Sequence, residues 1–339
     1  MASGGPSVTL VYRPALDGLR GIAVLLVLLQ HFIFPLNFAG TVGVTLFFVL
    51  SGYLITRILL KEHGDTGRIN FRAFYARRVR RLLPALASLL AVIAANLLSR
   101  GESLLPVAFA AGYASNIASA TGFDMGWLGH TWTLSLEEQF YFAWPLLMPF
   151  VVRRRPFLIL VFAAGASAAM RTGLWLAGAT FDRVYYGPDV RVEAILIGCA
   201  LAFVRIPTRH LRPAAAGAVI FLISCILLSG GQFVWLLTPA AIASAVLVAW
   251  AIHCEPRLLT LRPLVGLGKI SYGLYLWHYL VGGIVGRDMP LGVRLPLLFT
   301  ISLGMAILSW YVIERPFTRR KPPQVQSDPS DAGLVVTGR

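Results

Sequence analysis

Long apolar runs separated by short polar or basic segments dominate the pattern along this chain. Several runs reach the roughly 20 residues that an α-helix needs to cross a bilayer. We therefore predict an all-α integral membrane protein with about ten transmembrane helices in one bundle. The expected spans lie near residues 21–38, 41–60, 82–99, 132–152, 157–178, 191–206, 213–230, 233–253, 264–286 and 293–313.

The segment 103–121 is rich in small residues and only moderately apolar. If it does not cross, the basic clusters at 57–81, 153–155, 205–212, 257–262 and 315–321 all lie on one side, as the positive-inside rule expects. A crossing would place every later cluster outside. We therefore predict that 103–121 does not cross and that both termini are cytoplasmic. The basic residues left outside are Arg100, Arg171, Arg183, Arg191, Arg287 and Arg294.

The same pattern divides the chain into three parts. We expect a cytoplasmic extension over 1–12, a membrane domain over 13–317 and a disordered cytoplasmic tail over 318–339. No cleavable signal peptide is evident, and no appended soluble domain is expected after the tail. Aromatic and arginine residues alternate within the linker 61–81, which is typical of an interfacial helix on the cytoplasmic face.

Composition supports a lipid environment. Hydrophobic residues make up 57% of the 339 positions and charged residues 13%, whereas soluble domains carry about 25% charged residues. The net charge of +15 would suit a nucleic-acid binder, but membrane sorting accounts for the clustering, so nucleic acid is not expected as a partner. Cys199, Cys225 and Cys254 are isolated in apolar surroundings, and no metal site is expected.

Arg20 and His31 form the pair that most suggests chemistry. At about 100° per residue, eleven positions bring their side chains within roughly 20° of one helix face. An arginine at the membrane edge and a histidine near mid-bilayer would line one pathway, and an intramembrane histidine indicates function. The imidazole could serve as a general base or as a neutral packing group bonded to another helix. Asp17 could pair with Arg20 and fix its rotamer.

A dense arginine cluster follows at the expected cytoplasmic mouth. It could recognise phosphates of a nucleotide-like ligand or serve topology and anionic lipid contact. Its members include Arg77, Arg78, Arg80 and Arg81.

Acidic residues at two expected outer helix starts are further candidates. Glu137 and Glu138 could bind or activate a hydroxyl acceptor, or Ser135 and Glu138 could form a capping box. Arg191 and Glu193 occupy a similar place, with Glu193 as a substrate contact or as the partner of Arg191.

A polar stripe marks the ninth expected span. Ser271, Tyr275 and His278 lie at i, i+4 and i+7, so they share one helix face that should point into the bundle. Additional polar contacts could come from Asn116, Gln139 and Tyr141. Motifs for a zinc peptidase, an α/β-hydrolase serine or a P-loop are absent from the sequence.

Seven strings in order resemble the membrane acyltransferase-3 family, and together they cover roughly residues 12–317. The first leads from Arg13 to His31 with the Arg-x10-His spacing. The others are Phe47-Phe-Val-Leu-Ser-Gly-Tyr-Leu-Ile-Thr56, Phe74-Tyr-Ala-Arg-Arg-Val-Arg-Arg-Leu-Leu-Pro84, Thr131-Trp-Thr-Leu-Ser-Leu-Glu-Glu-Gln-Phe-Tyr141, Tyr186 to Gly198, Ile270 to His278 and Glu314-Arg-Pro-Phe317. Glu193 departs from the family pattern, where Asp is more usual.

The resemblance implies a ten-helix O-acyltransferase in the cell membrane. It would transfer an acyl group, expected to be acetyl, from cytoplasmic acyl-coenzyme A to a hydroxyl of a sugar, glycan, glycolipid or glycosylated metabolite. The acyl-coenzyme A would be a co-substrate and not a permanently bound cofactor. His31 would be the catalytic base, with Glu138 as a second catalytic candidate. Donor-binding candidates are Arg20, Ser51, Arg77, Arg78 and Arg81; supporting residues are Asp17, Ser271, Tyr275 and His278; acceptor-side candidates are Glu137, Arg191 and Glu193.

A different class of protein also fits these features. In a proton-coupled transporter or flippase of a glycan or lipid-like substrate, His31 would gate proton movement instead of acting as a base. Covalent product formation separates the two hypotheses.

Overall fold

The computed structural model describes residues 12–33, 37–204, 206–228, 234–285 and 288–318. These residues form helices and connecting loops and no β-strand. The first half of the chain contains α1 (Pro14–Phe32), α2 (Asn37–Thr66), α3 (Phe71–Ser99), α4 (Leu105–Ala111), α5 (Ser115–Ala120), a 3-10 helix (Gly126–Thr131), α6 (Trp132–Val152) and α7 (Pro156–Leu176).

The second half begins with three short helices. They are α8 (Phe181–Tyr186), α9 (Pro188–Arg191) and α10 (Glu193–Leu201). The next elements are α11 (Thr208–Leu228), a 3-10 helix (Val234–Leu236), α12 (Leu237–Cys254) and a 3-10 helix (Arg257–Thr260). The last are α13 (Arg262–Lys269), α14 (Ser271–Ile284), α15 (Leu291–Ser309), a π-helix (Trp310–Glu314) and α16 (Arg315–Thr318).

Seven helices of the described chain are long and apolar enough to cross a membrane. They are Pro14–Phe32, Phe38–Thr66, Phe71–Ser99, Pro156–Leu176, Thr208–Leu228, Val234–Cys254 and Leu291–Thr318. The protein is therefore a multi-pass integral membrane protein. The count of about ten spans and the cytoplasmic position of both termini stay predictions. The extension before Tyr12 and the tail after Thr318 lie outside the described residues.

Three expected elements differ from those observed. No separate interfacial helix follows residue 61, because α2 continues to Thr66 and the arginine-rich segment forms the first turns of α3. The expected span 191–206 holds only the nine-residue α10. The expected span 264–286 is divided at Ile270 into α13 and α14. The segment 103–121, in contrast, was not expected to cross, and it forms two short helices, α4 and α5, with a turn between them.

Glycines allow two central helices to approach closely. A Cβ at Gly52 of α2 would lie 2.0 Å from the carbonyl oxygen of Ile195, and one at Gly198 of α10 would lie 2.1 Å from that of Val49. Small residues of this kind permit backbone contact between membrane helices. The close contact holds α10 against α2, which carries Ser51 into the interior.

Candidate active site

Three cavities follow one another through the interior. The histidine cavity, about 360 Å³, is lined by His31 and by Trp132, Tyr185 and Tyr186. The arginine cavity, about 320 Å³, is lined by the donor-binding candidates Arg20, Ser51, Arg77, Arg78 and Arg81. A connecting cavity of about 60 Å³ lies between them.

Shared wall residues make the three cavities neighbours. Arg20, Ser51 and Tyr272 line both the arginine and the connecting cavity. Val44 and Tyr275 line both the connecting and the histidine cavity. Arg20 and His31 thus belong to one chain of cavities, at opposite ends of the face of α1 that they share.

His31 lies in the last turn of α1, because the helix ends at Phe32. This corrects the expected position near the middle of the span. The side chain is exposed because it borders the open histidine cavity. Its Nδ1 is 2.8 Å from the carbonyl oxygen of Val27, so we assign the proton to Nδ1. The lone pair is then on Nε2, the atom that a general base uses.

His278 supports this tautomer of His31. It is completely buried, and its Nδ1 is 2.7 Å from the carbonyl oxygen of Tyr275. The remaining nitrogen, Nε2, therefore carries a lone pair and lies 3.4 Å from Nδ1 of His31. His278 thus accepts a second contact from the Nδ1–H of His31, which fixes the orientation of the base.

The polar stripe of α14 faces the interior, as the helical spacing predicts. Ser271 and Tyr275 line the connecting cavity, and His278 reaches His31. The Tyr275 hydroxyl donates to the carbonyl oxygen of His130 at 2.6 Å. Because its proton is used there, the Tyr275 hydroxyl accepts from the Thr133 hydroxyl, also at 2.6 Å. These bonds leave the ring of Tyr275 fixed between two cavities.

The arginine cavity combines cations with two carboxyl groups. Arg78 donates to Glu138 at 3.3 Å, and its guanidinium carbon lies 3.3 Å from the ring centroid of Tyr141. A cation over an aromatic face is stabilised by the ring quadrupole. Arg77 is held by Glu62 at 3.5 Å. The cavity therefore presents fixed guanidinium groups of the kind that bind phosphates.

Glu137 and Glu138 lie in this cavity and not in the histidine cavity. Oε1 of Glu137 accepts a 2.8 Å hydrogen bond from Ser51, and its acceptor-side role stays a prediction. The expected capping box is wrong: α6 begins at Trp132, and the Ser135 hydroxyl donates to the carbonyl of Thr131. Ser135 also accepts from the backbone N–H of Ser115.

Asp17 does not make the expected ion pair with Arg20 within the described chain. Its Oδ2 accepts a 2.7 Å hydrogen bond from the Tyr12 hydroxyl. This bond raises the pKa of Tyr12 to about 12, because the phenol proton is shared with the carboxylate. Arg20 stays available to the two cavities that it lines.

Arg191 and Glu193 are buried and are not among the wall residues of the three cavities. Glu193 forms an ion pair with Arg171, not with Arg191, and accepts from Thr238 at 2.9 Å. Arg191 lies among aromatic rings, 5.0 Å from the centroid of Tyr185 and 5.6 Å from that of Trp132. Their role on the acceptor side stays a prediction.

The histidine cavity also has wall residues that the sequence did not predict. The ring of His130 stacks on Tyr279, with centroids 4.8 Å apart, and both line the histidine cavity with Asp124 and Asp182. A single sequence does not distinguish His130 and the two aspartates from ordinary loop residues, or Tyr279 from the other aromatic residues of an apolar helix. Within the described ranges, no group of three or more His, Cys, Asp or Glu side chains could hold a metal ion.

Comparison with known proteins identifies the family. The family model described as an acyltransferase domain matches residues 13–315. The chain belongs to this membrane acyltransferase-3 family. Among its relatives, the putative peptidoglycan O-acetyltransferase YrhL of Bacillus subtilis (strain 168) is 34% identical over 348 residues, which cover 90% of this chain and 55% of the relative.

A second relative has a similar relationship. The O-acetyltransferase OatA of Staphylococcus aureus (strain NCTC 8325 / PS 47) is 30% identical over 352 residues, covering 91% of this chain and 58% of the relative. The chain thus spans a little over half the length of these relatives. No solved structure matches the chain.

Proposed function

We propose that this chain is a membrane O-acyltransferase. It would move an acyl group, with acetyl expected, from coenzyme A in the arginine cavity to a sugar hydroxyl in the histidine cavity. The observation that carries the proposal is that the arginine cavity and the cavity lined by His31 both share wall residues with one small cavity between them. An arginine-rich site suits the phosphates of coenzyme A, because guanidinium groups bind phosphate through paired hydrogen bonds.

The acyl group would react near Tyr275, where the connecting and histidine cavities meet. Nε2 of His31 takes the proton of the acceptor hydroxyl as the oxygen attacks the thioester carbonyl carbon. The carbon–sulfur bond then breaks, the new ester leaves with the acceptor, and the sulfur of coenzyme A receives the proton. His278 and the Val27 carbonyl hold the other ring nitrogen throughout.

The histidine cavity supports a sugar or glycan acceptor. Aromatic walls come from Trp132, Tyr185 and Tyr186. Asp124 supplies a carboxylate that can accept from hydroxyl groups, and Gln30, whose oxygen accepts from Thr41, supplies an amide N–H that can donate to them. The names of the relatives point the same way, since one is a putative peptidoglycan O-acetyltransferase. We therefore propose a cell-wall glycan as the acceptor class and the cytoplasm as the source of the donor.

Replacement of His31 tests the reaction. In purified protein supplied with labelled acetyl-coenzyme A and a soluble peptidoglycan fragment, His31→Ala should slow acetyl transfer by about 10²–10⁴-fold, the usual contribution of a general base. Binding of coenzyme A should stay within about twofold of wild type, because the arginine cavity is intact.

His253→Ala is the matched control, since His253 is an exposed histidine outside the three cavities, and it should transfer at the wild-type rate. Full activity of His31→Ala would contradict the proposed role of the base. If the glycan fragment instead crossed reconstituted vesicles without acetylation, the transporter hypothesis would replace the enzyme.

A further inference from the structure

The turn between α4 and α5 carries an aromatic side chain into the arginine cavity. Tyr113 lies in this turn and lines the cavity. The other end of α5 and the loop after it contribute Ser119, Phe123 and Asp124 to the histidine cavity. The α4–α5 hairpin therefore reaches from one cavity to the other, with Tyr113 at its tip.

The backbone of Tyr113 is in an unfavourable conformation. Its φ of 51° lies in the left-handed region, which glycine adopts freely and a bulky residue adopts at a free-energy cost of about 1–3 kcal/mol. A glycine would satisfy the turn more easily. The geometry of the turn therefore does not explain why a tyrosine, and not a glycine, occupies position 113.

Neighbouring polar groups hold the strained turn in place. The Gln139 side-chain amide donates to the carbonyl oxygen of Tyr113 at 2.8 Å. Gln139 and Asn116 also exchange two hydrogen bonds, of 2.9 and 3.0 Å. Three consecutive residues of α6 thus fix three parts of the site. Glu137 accepts from Ser51, Glu138 accepts from Arg78, and Gln139 holds the tip of the hairpin.

Tyr113 lines the arginine cavity and not the connecting cavity, but it packs with residues that line both. Leu134 and Tyr272 pack against the same apolar cluster as Tyr113 and are walls of both cavities. A donor whose phosphates bind the arginines would therefore pass its thioester arm beside Tyr113.

We propose that Tyr113 positions the pantetheine arm of the donor. The assignment rests on the proposed function, because it requires coenzyme A in the arginine cavity. The aromatic ring supplies a wall for the flexible arm and directs the thioester toward Tyr275 and His31. The ring comes from the turn between two short helices and not from a long helix of the bundle, and the strain at Tyr113 is retained for that contact.

Binding measurements on Tyr113→Gly test the assignment. Glycine keeps the left-handed turn and removes only the ring, so coenzyme A affinity in purified protein should fall about tenfold, equivalent to a contact of about 1.4 kcal/mol. Tyr113→Phe should bind like wild type, because it keeps the ring. Strain relief offsets part of the packing that is lost with the ring, and the unfolding temperature of Tyr113→Gly checks that the variant is folded.

Two matched variants separate the arm from the phosphates. Tyr113→Gly should weaken free pantetheine and coenzyme A by the same factor, whereas Arg81→Gln should weaken only coenzyme A. Glu255→Gly is a control for strain relief, because Glu255 also has a left-handed φ, 41°, but ends α12 outside the three cavities. It should leave both affinities unchanged.

The outcomes distinguish this assignment from the proposed function. Unchanged affinity in Tyr113→Gly would show that the residue serves only the turn and would overturn the assignment. Loss of coenzyme A affinity with unchanged pantetheine affinity would also overturn it. A wild-type protein that binds neither compound would overturn the proposed function and this assignment with it.

Discussion

Arg171 and Glu193 form an ion pair whose two side chains are only 3% and 1% exposed. Arg171 also donates to the carbonyl of Val190 at 2.9 Å, and Thr238 connects the two charges. Glu193→Gln should therefore lower the free energy of unfolding in detergent by about 3–5 kcal/mol, because it leaves a buried cation without its counter-charge. Denaturant titration of the purified protein measures this loss.

The matched control is Asp189→Asn, which breaks the half-exposed pair with Arg183. Because solvent screens this pair, the loss should be at most about 1 kcal/mol. If Glu193→Gln kept full stability and lost acceptor binding instead, Glu193 would be a substrate contact after all.

The sequence predicts the positions of some site residues and not of others. His31, Tyr275 and His278 were predictable, because a polar group on an apolar helix must face the interior. Glu137 was not, because its position depends on where α6 begins. The preceding 3-10 helix is itself buried at Leu128 and His130, so α6 starts inside the protein and carries Glu137 to the arginine cavity.

At the scale of elements, the approach of α2 and α10 makes a sharp prediction. Gly198→Ala should destabilise the protein by about 1–3 kcal/mol, because the new methyl group would overlap the carbonyl of Val49 and force the helices apart. The unfolding temperature in detergent measures the effect. Acyl transfer should fall as well, since α2 carries Ser51 and Val44.

Gly165→Ala on α7 is the corresponding control, because nothing lies within 4 Å of the added Cβ. It should leave the unfolding temperature unchanged or raise it slightly, since alanine favours helix by about 1 kcal/mol over glycine. Equal losses in the two variants would argue against a close α2–α10 contact.

Long helices were predictable from apolar runs, and short ones were not. The expected span 132–152 has the bounds of α6, Trp132–Val152. In contrast, α8, α9 and α10 are too short to give a periodic signal, and α13 and α14 merge into one apolar run in the sequence. The α4–α5 hairpin depends on hydrogen bonds from Gln139, a partner distant in sequence that periodicity does not reveal.

For the molecule as a whole, charge distribution predicts that the two large cavities open on opposite sides of the membrane. Asp65, beside the arginine-rich end, and Asp124, at the histidine cavity, provide exposed reporters. In a variant with Cys199, Cys225 and Cys254 replaced by alanine, Asp65→Cys should react with a membrane-impermeant maleimide only from the cytoplasmic face. Asp124→Cys should react only from the other face.

Vesicles of known orientation distinguish the two sides, and detergent-solubilised protein, in which both positions should react, is the control. Labelling of both positions from one face would contradict the two-sided arrangement and the expected direction of transfer.

The narrowness of the connecting cavity has a consequence for the cell as well as for the reaction. At about 60 Å³, it is far smaller than the two cavities that it joins, and charged and hydroxyl side chains such as Arg20, Glu137 and Ser271 line it beside Phe47 and Phe48. A ligand as large as coenzyme A needs a cavity of several hundred Å³, so under the proposed function only the slender acyl end of the donor would enter this space. The cell would then export acyl groups while it retains the coenzyme.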